Sequence, residues 1–486
     1  MKSFNNMNLV KSLLPASILS MGLTSCDRTV SITEKPNVVF LVVDDMGWTD
    51  VARYGSDFHQ TPHIDALADD GVMFTNAYSS STVCSPTRAA LMTGKNPAKL
   101  NITDWITGWI YPWAKLSNPD WTMYLDTTKY TLAKAFRDNQ YRTGHFGKWH
   151  LGMTEEYWPE NHGFDINVGG YFRGAPHRNQ NQGYNGYFSP YGNPRLEDGP
   201  EGEYLTERLS GEVASFIKEH KDEPFFVNFW FYNVHTPLQA REEKIKKYRD
   251  LADPDNNHRN PVYAAMVEHT DDAVGVVINQ LKKAGIYDNT IIIFTSDNGG
   301  LIGNPNRPPV TSNYPLRHGK GSEWEGGVRV PLIIAGPGIP PGRVSHELAI
   351  SEDFFPTVNT LANLRVPDNV ASKWCGVDLS PVLRDQNEKT GRDAVFFHYP
   401  HYHIEGATPH SAIRKGDFKL YHFYENTEYE LYNLADDIGE TNNIANEKPE
   451  VFDDLRKDLH RWLKEVDAQL PLPNPDYDPE RAGRRN

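Results

Sequence analysis

The sequence predicts an α/β fold with parallel strands buried between helices, followed by a smaller antiparallel unit carrying its own helix. Two apolar runs support the first part, residues 37–43 (NVVFLVV) and 290–295 (TIIIFT). Continuous β-branched runs without polar alternation are strands covered on both faces, as in a sheet between helices. The second part rests on polar–apolar alternation over residues 411–422 and 429–434, read as two antiparallel strands. Phe452, Leu455, Leu459, Trp462 and Leu463 then recur at helical spacing within residues 449–466.

At 486 residues, 38% hydrophobic and 23% charged, the chain has the composition of a folded protein with room for a large core. Its 49 Lys and Arg against 64 Asp and Glu leave a net charge of −15. Such a body has no global field for nucleic acid or an anionic membrane, so an anionic substrate requires basic groups focused in one pocket.

Residues 1–26 have the form of an export signal. Lys2 and Lys11 precede a short apolar stretch, too short to span a bilayer, and Leu23-Thr24-Ser25-Cys26 resembles a bacterial lipoprotein box. The protein is expected outside the cytoplasm, in a periplasm or held to a membrane by lipid on Cys26; a plain secretory signal is the alternative. Exported proteins usually pair their cysteines, and a Cys84–Cys375 disulfide is one option. The setting of Cys84 argues against it.

The strand at 37–43 runs into Asp44-Asp45-Met46-Gly47, and the strand at 290–295 into Ser296-Asp297-Asn298-Gly299. In open α/β sheets ligands bind beyond the carboxyl ends of strands. If the two strands are neighbours, Asp44, Asp45, Asp297 and Asn298 offer an all-oxygen set suited to calcium, ahead of magnesium, and poorly suited to zinc. Turn and cap roles are the alternative for each motif taken alone. Between them lies Cys84-Ser85-Pro86-Thr87-Arg88, with Pro86 placed for a first helical turn and Gly94 for its stop. Cys84 is therefore expected just before a helix start, where free N–H groups favour anions, with Arg88 one turn on.

Cys84-x-Pro86-x-Arg88 with a Thr93-Gly94 tail resembles the signature of the type I sulfatases of the alkaline-phosphatase superfamily. The tail reads Met92-Thr93-Gly94-Lys95 where that family usually has Leu-Thr-Gly-Arg. Further segments are similar in order: Gly147-Lys148-Trp149-His150-Leu151-Gly152, the strand 225–231 leading to His235-Thr236-Pro237, and His318-Gly319-Lys320 before Glu325-Gly326-Gly327. The resemblance implies a large mixed, mainly parallel sheet sandwiched by helices and a small C-terminal antiparallel sheet plus helix. The expected organisation is a signal or lipoprotein segment at 1–26, a catalytic α/β domain at 36–385, an α+β subdomain at 386–470 and a loose tail at 471–486.

The resemblance also implies that a formylglycine-generating enzyme oxidises Cys84 to an aldehyde, and that its hydrate, with residue 84 thus a fifth ligand of a bound divalent cation, attacks sulfur. Arg88 and Lys148 would hold that hydroxyl and the sulfate, while His235 and Lys320 would bind sulfate and protonate the leaving oxygen. His150 would deprotonate the second hydroxyl to release sulfate. His145 and His318 match no catalytic position. The implied substrate is a sulfated saccharide, with Arg173, His177 and Arg178 the candidates for sugar contact. Most aromatics of residues 105–124 and 171–195 are expected to pack insertions onto the core. Two other readings stay open here: a phosphonate or phosphate ester hydrolase of the same superfamily, and a glycan-binding lipoprotein on an inactive scaffold.

Overall fold

Strand β1 (Asn37–Val43) is the axis on which the site is built. In this computed structural model, which describes residues 35–303 and 309–485, seven further strands join it. They are β2 (Gly71–Phe74), β3 (Arg142–Gly147), β4 (Ile166–Val168), β5 (Phe225–Trp230), β6 (Thr290–Ser296), β7 (Leu332–Ala335) and β8 (Arg343–Ser345). The order across the sheet is β8-β2-β7-β6-β1-β5-β3-β4. The five strands from β6 to β4 are parallel, and β7 runs antiparallel to both its neighbours. Every residue of β1, β5 and β6 is buried, so helices cover both faces, as the unbroken apolar runs require. The signal-like segment with Cys26 lies outside the described residues. Among the described residues no helix is long and apolar enough to cross a membrane.

Helix α1 (Cys84–Thr93) is buried at all ten positions and stops at Gly94, whose left-handed φ of 65° suits a residue without Cβ. Cys84 is thus the first helical residue, one step further in than its sequence suggested. Helices α2 (Leu205–Glu219) and α3 (Pro261–Ala284) pack together. The Asn260 side chain accepts from the N–H groups of Val262 and Tyr263 to start α3.

The C-terminal unit departs from its sequence pattern. Residues 411–422 form two strands, β10 (His410–Lys415) and β11 (Phe418–Phe423), reversing at Gly416 with φ 56°. A two-residue turn is too short to interrupt the alternation, so the pattern reads as one strand. With β9 (Ala394–Tyr399) and β12 (Glu428–Asn433) they make a four-stranded antiparallel sheet. Helix α4 (Pro449–Glu465) lays Leu455, Leu459 and Leu463 against Ile413, Leu420 and Leu431. The tail is not loose either. Leu472–Pro473 pairs antiparallel with Leu116–Ser117.

A buried ion-pair network joins this small sheet to the segment after Lys320. Lys419 Nζ donates to Glu325 Oε1 and to the Glu323 carbonyl, both at 2.8 Å. Despite burial, Lys419, Arg329 and Arg414 hold the Glu325 carboxyl down, to about 2. Lys419 and Glu325 are both inaccessible to solvent. Removing one member of such a pair costs about 3–5 kcal/mol when the other is left unpaired, and since Glu325 keeps Arg329 at 3.2 Å the loss here falls at the lower end. Lys419→Met should therefore lose about that much stability in urea unfolding, and a loss below ~1 kcal/mol would show that the network is not holding the two units together.

Candidate active site

The register of β1 and β6 places the site. Val43 lies opposite Ser296, so the next residues of both strands emerge at one point. The Asp45 N–H donates to Asp297 Oδ1 at 3.2 Å and the Met46 N–H to Ser296 Oγ at 3.0 Å. Asp44, Asp45, Asp297 and Asn298 are all buried. The following turn is fixed by Asp50, whose carboxylate accepts from the Gly47 N–H, Tyr263 and Thr311, each at 2.6 Å.

Three basic residues converge on these carboxylates. Lys148 Nζ lies 2.8 Å from both Asp44 oxygens. Arg88 donates through Nε to Asp297 Oδ2 at 2.8 Å and through Nη1 to the Lys148 carbonyl at 3.1 Å. Lys320 Nζ is 2.7 Å from Asp45 Oδ1 and 3.7 Å from Cys84 Sγ. Cys84 and Cys375 are both free thiols, which excludes the disulfide option. Burial pushes the Cys84 thiol up to about 11 against the pull of Lys148 and Lys320. It is therefore a protonated, weak nucleophile at neutral pH.

The donor set fits a hard divalent cation. Burial, with Asp297 and Asp45 adjacent, pushes Asp44 up to about 8 against Lys148 and Arg88. A carboxylate that burial and its acidic neighbours press this hard, even with Lys148 beside it, is eased into its charged form by a bound cation. Asn298 spends its amide nitrogen on Asp45 Oδ1 at 2.9 Å and the Gly299 carbonyl at 3.0 Å. Its buried Oδ1 has no hydrogen-bond partner among the described residues, as a metal-ligand oxygen would. Ligand atoms of Asp44, Asp45, Cys84 and His235 all lie within 4.8 Å of one another. A second cluster, Asp50, His59 and His258, is also buried, but the Asp50 oxygens are already taken by the turn described above.

The two histidines differ in which nitrogen is open. His150 Nε2 faces the Ile106 carbonyl, an acceptor only, so it carries the hydrogen. Its buried Nδ1 has no partner among the described residues and is the free lone pair. The carbonyl of His150 accepts from Ser85 Oγ at 2.8 Å, and that oxygen accepts from the Ile106 N–H at 3.1 Å. The residue after Cys84 thus aims the imidazole. A Cβ on Gly174 would enter the His150 ring, so the close approach there requires glycine. His235 Nδ1 donates to the Thr236 carbonyl at 2.6 Å, leaving Nε2 3.7 Å from Asp45 Oδ2.

Cys84, His150, His235 and Lys320 line a cavity of about 570 Å³. Arg88 and Lys148 do not reach its wall; they lie fully buried on the carboxylates behind it. Arg173 and Arg178 line the cavity, whereas His177 does not. His177 Nε2 lies 3.1 Å from Arg173 Nη2 with its ring 4.6 Å from Tyr184, so it braces Arg173 rather than facing a ligand. Tyr171, Tyr187 and Tyr191 are core residues, as expected, but Trp105 and Trp109 line the wall. His403 and Glu405, from the C-terminal unit, also line it and carry no motif in sequence. The one available signal is Gly321 beside Lys320: it has φ 84°, and a Cβ there would collide with the His403 ring.

Comparison with known proteins gives the class. The sulfatase family model matches residues 36–364, and the model of the C-terminal part of N-sulphoglucosamine sulphohydrolase matches residues 318–469. A sulfatase of Formosa agariphila is 32% identical, with 93% of each chain covered. N-acetylgalactosamine-6-sulfatase of Canis lupus familiaris is 30% identical over 85% of this chain and 76% of its own. The crystal structure of Ps i-CgsB in complex with k-i-k-neocarrahexaose superposes with TM-score 0.73 at 30% identity, covering 88% of this chain and 93% of that one. The chain belongs to the sulfatase family, with its alkaline-phosphatase-like fold. It is a sulfuric ester hydrolase.

Burial, reinforced by Lys148, holds His150 well below its ordinary 6.5. The imidazole therefore stays neutral as pH falls through 6.5 and keeps its Nδ1 lone pair. In NMR of the folded enzyme the His150 ring resonances should not titrate between pH 8 and 5.5. A midpoint at or above 6.5 would contradict the geometry.

Proposed function

We propose that the chain removes sulfate from a carbohydrate, using a formylglycine made from Cys84 and a divalent cation, calcium ahead of magnesium, held by Asp44, Asp45, Asp297 and Asn298. The observation that carries this reading is the buried, protonated Cys84 thiol at the helix start, beside two ammonium groups and three carboxylates. As a thiol it is a poor nucleophile, while the carboxylates around it suit a cation and Lys320 on the wall suits an anionic group. The carbohydrate is supported by the saccharide in the Ps i-CgsB complex and by the amino-sugar sulfatase relative.

A formylglycine hydrate would supply two hydroxyls where serine has one, and the cation would supply the charge that keeps one of them ionised. The chain's own residues do the rest. Lys320 on the cavity wall meets the sulfuryl oxygens and offsets their charge, with the neutral His235 ring beside it. Burial depresses Lys320, but Asp45 and its neighbours more than reverse this and hold it protonated. Burial and Lys320 keep His235 neutral, near 3. Lys320 is thus the proton carrier of the pair and donates to the leaving sugar oxygen, so that an alcohol departs instead of an alkoxide. His150, open at Nδ1, accepts the proton that must leave residue 84 for sulfate to be released. Arg88 and Lys148 position Asp297 and Asp44 and keep the carboxylates apart. The signal-like residues 1–26 support action outside the cytoplasm, with Cys26 the candidate for lipid.

Peptide mass analysis across residue 84 tests the proposal, in protein made alongside a formylglycine-generating enzyme. The residue should weigh less than cysteine, and sulfate-ester turnover should rise with the fraction converted. Full activity in protein whose Cys84 is entirely unmodified would overturn the formylglycine reading.

A further inference from the structure

We propose that residues 471–485 form an arm that completes a second anion subsite beside the cavity, in which Arg485 binds a sulfate or carboxylate on a neighbouring sugar of the same chain. This rests on the carbohydrate reading above and extends it from one sugar to an oligosaccharide.

The arm is fixed in place by its backbone. Beyond the Leu472–Pro473 pairing, the Asn474 N–H donates to the Lys115 carbonyl at 3.1 Å, and its Nδ2 donates to the carbonyls of Pro112 at 3.0 Å and Ala114 at 2.8 Å. The Asp478 N–H donates to the Trp113 carbonyl at 3.2 Å. Two arginines then lie on two tryptophans of the insertion: Arg481 is 3.5 Å from the Trp113 ring centre and Arg485 is 4.0 Å from that of Trp109.

The two arginines differ in what their charge meets. Arg481 has Asp478 at 3.8 Å. Arg485 has no carboxylate within ion-pair distance among the described residues. Stacking uses the face of a guanidinium and leaves its in-plane N–H groups free for an oxyanion. Trp109 itself lines the cavity, packed edge-on to Trp105 with centroids 5.0 Å apart and 5.7 Å from His403. Arg485 thus covers a ring of the cavity lining without itself lining the cavity. Its charge is felt there: burial and Lys320 hold His403 low, to about 3, and Arg485 adds to that push. A chain of net charge −15 repels polyanions. A glycan with several anionic groups thus needs local cations beyond the reacting centre, and Arg485 supplies one that the catalytic residues do not use.

The test measures sulfate release by the full-length enzyme from sulfated monosaccharides and from di-, tetra- and hexasaccharides of carrageenan, chondroitin sulfate and heparin. For the preferred series kcat/KM should rise at least tenfold with length. Arg485→Glu should remove most of that gain through KM, while Arg485→Lys should retain much of it. A flat length dependence, or a gain that Arg485→Glu leaves intact, would overturn the arm proposal while sulfate release upholds the parent reading. If no member of the panel loses sulfate, the carbohydrate reading fails and takes this proposal with it.

Discussion

Parallel pairing of β1 with β6 forces three carboxylates and a carboxamide to leave the sheet at the same buried point. Nothing in water-excluded packing favours that crowding, and the surrounding residues make sense as answers to it. Lys148 and Lys320 each take one carboxylate, Arg88 takes another, and the open Asn298 oxygen leaves a ligand position for a cation. A helix start then brings residue 84 to the same place from the opposite end of a buried element. The site is thus one electrostatic balance in which fold and chemistry share the same charges.

That balance explains a division of labour among the basic residues that chemistry alone does not predict. Lys320 and His235 face the cavity, while Lys148 and Arg88 sit behind it. The residues at the wall can follow a substrate's changing charge. Those behind it fix the carboxylates, with Arg88 additionally lying 5.0 Å from the Trp230 ring centre at the end of β5. The segment carrying Lys320 is in turn held by Lys419 and Tyr421 of the small sheet, through Glu325 and the Glu323 carbonyl. The C-terminal unit therefore acts on the site in two ways, by bracing that segment and by supplying His403 and Glu405 to the wall.

The core of this arrangement was legible because it is local. Unbroken runs such as NVVFLVV mark a doubly covered strand, and the acidic residues follow directly at its end. Cys84 and Arg88 share one helix, so their spacing is readable as well. Cation and carboxylate partners separated by hundreds of residues became readable only through the family resemblance. What stayed hidden depends on long-range packing with no periodic trace. The strand Ala394–Tyr399 mixes apolar and aromatic residues on both faces, because one face meets Tyr78 and the other Trp462. His403 and Glu405 reach the cavity only because Gly321 allows a close approach. The docked arm carries composition typical of a loose end, and its order comes from tryptophans more than 350 residues away, as the Asn474 contact to Pro112 shows. His177 looked like a sugar contact for the opposite reason: it is close in sequence to Arg173 and Arg178 but turned onto Tyr184.

The central claim is that the crowded strand tips exist to hold a cation. The most direct measurement is anomalous diffraction from crystals grown with calcium, collected where calcium scatters strongly. The account predicts one peak about 2.3–2.6 Å from oxygens of Asp44, Asp45, Asp297 and Asn298, with Lys148 or Lys320 displaced from full contact with its carboxylate. No peak there, or calcium held instead at Asp50, His59 and His258, would contradict it.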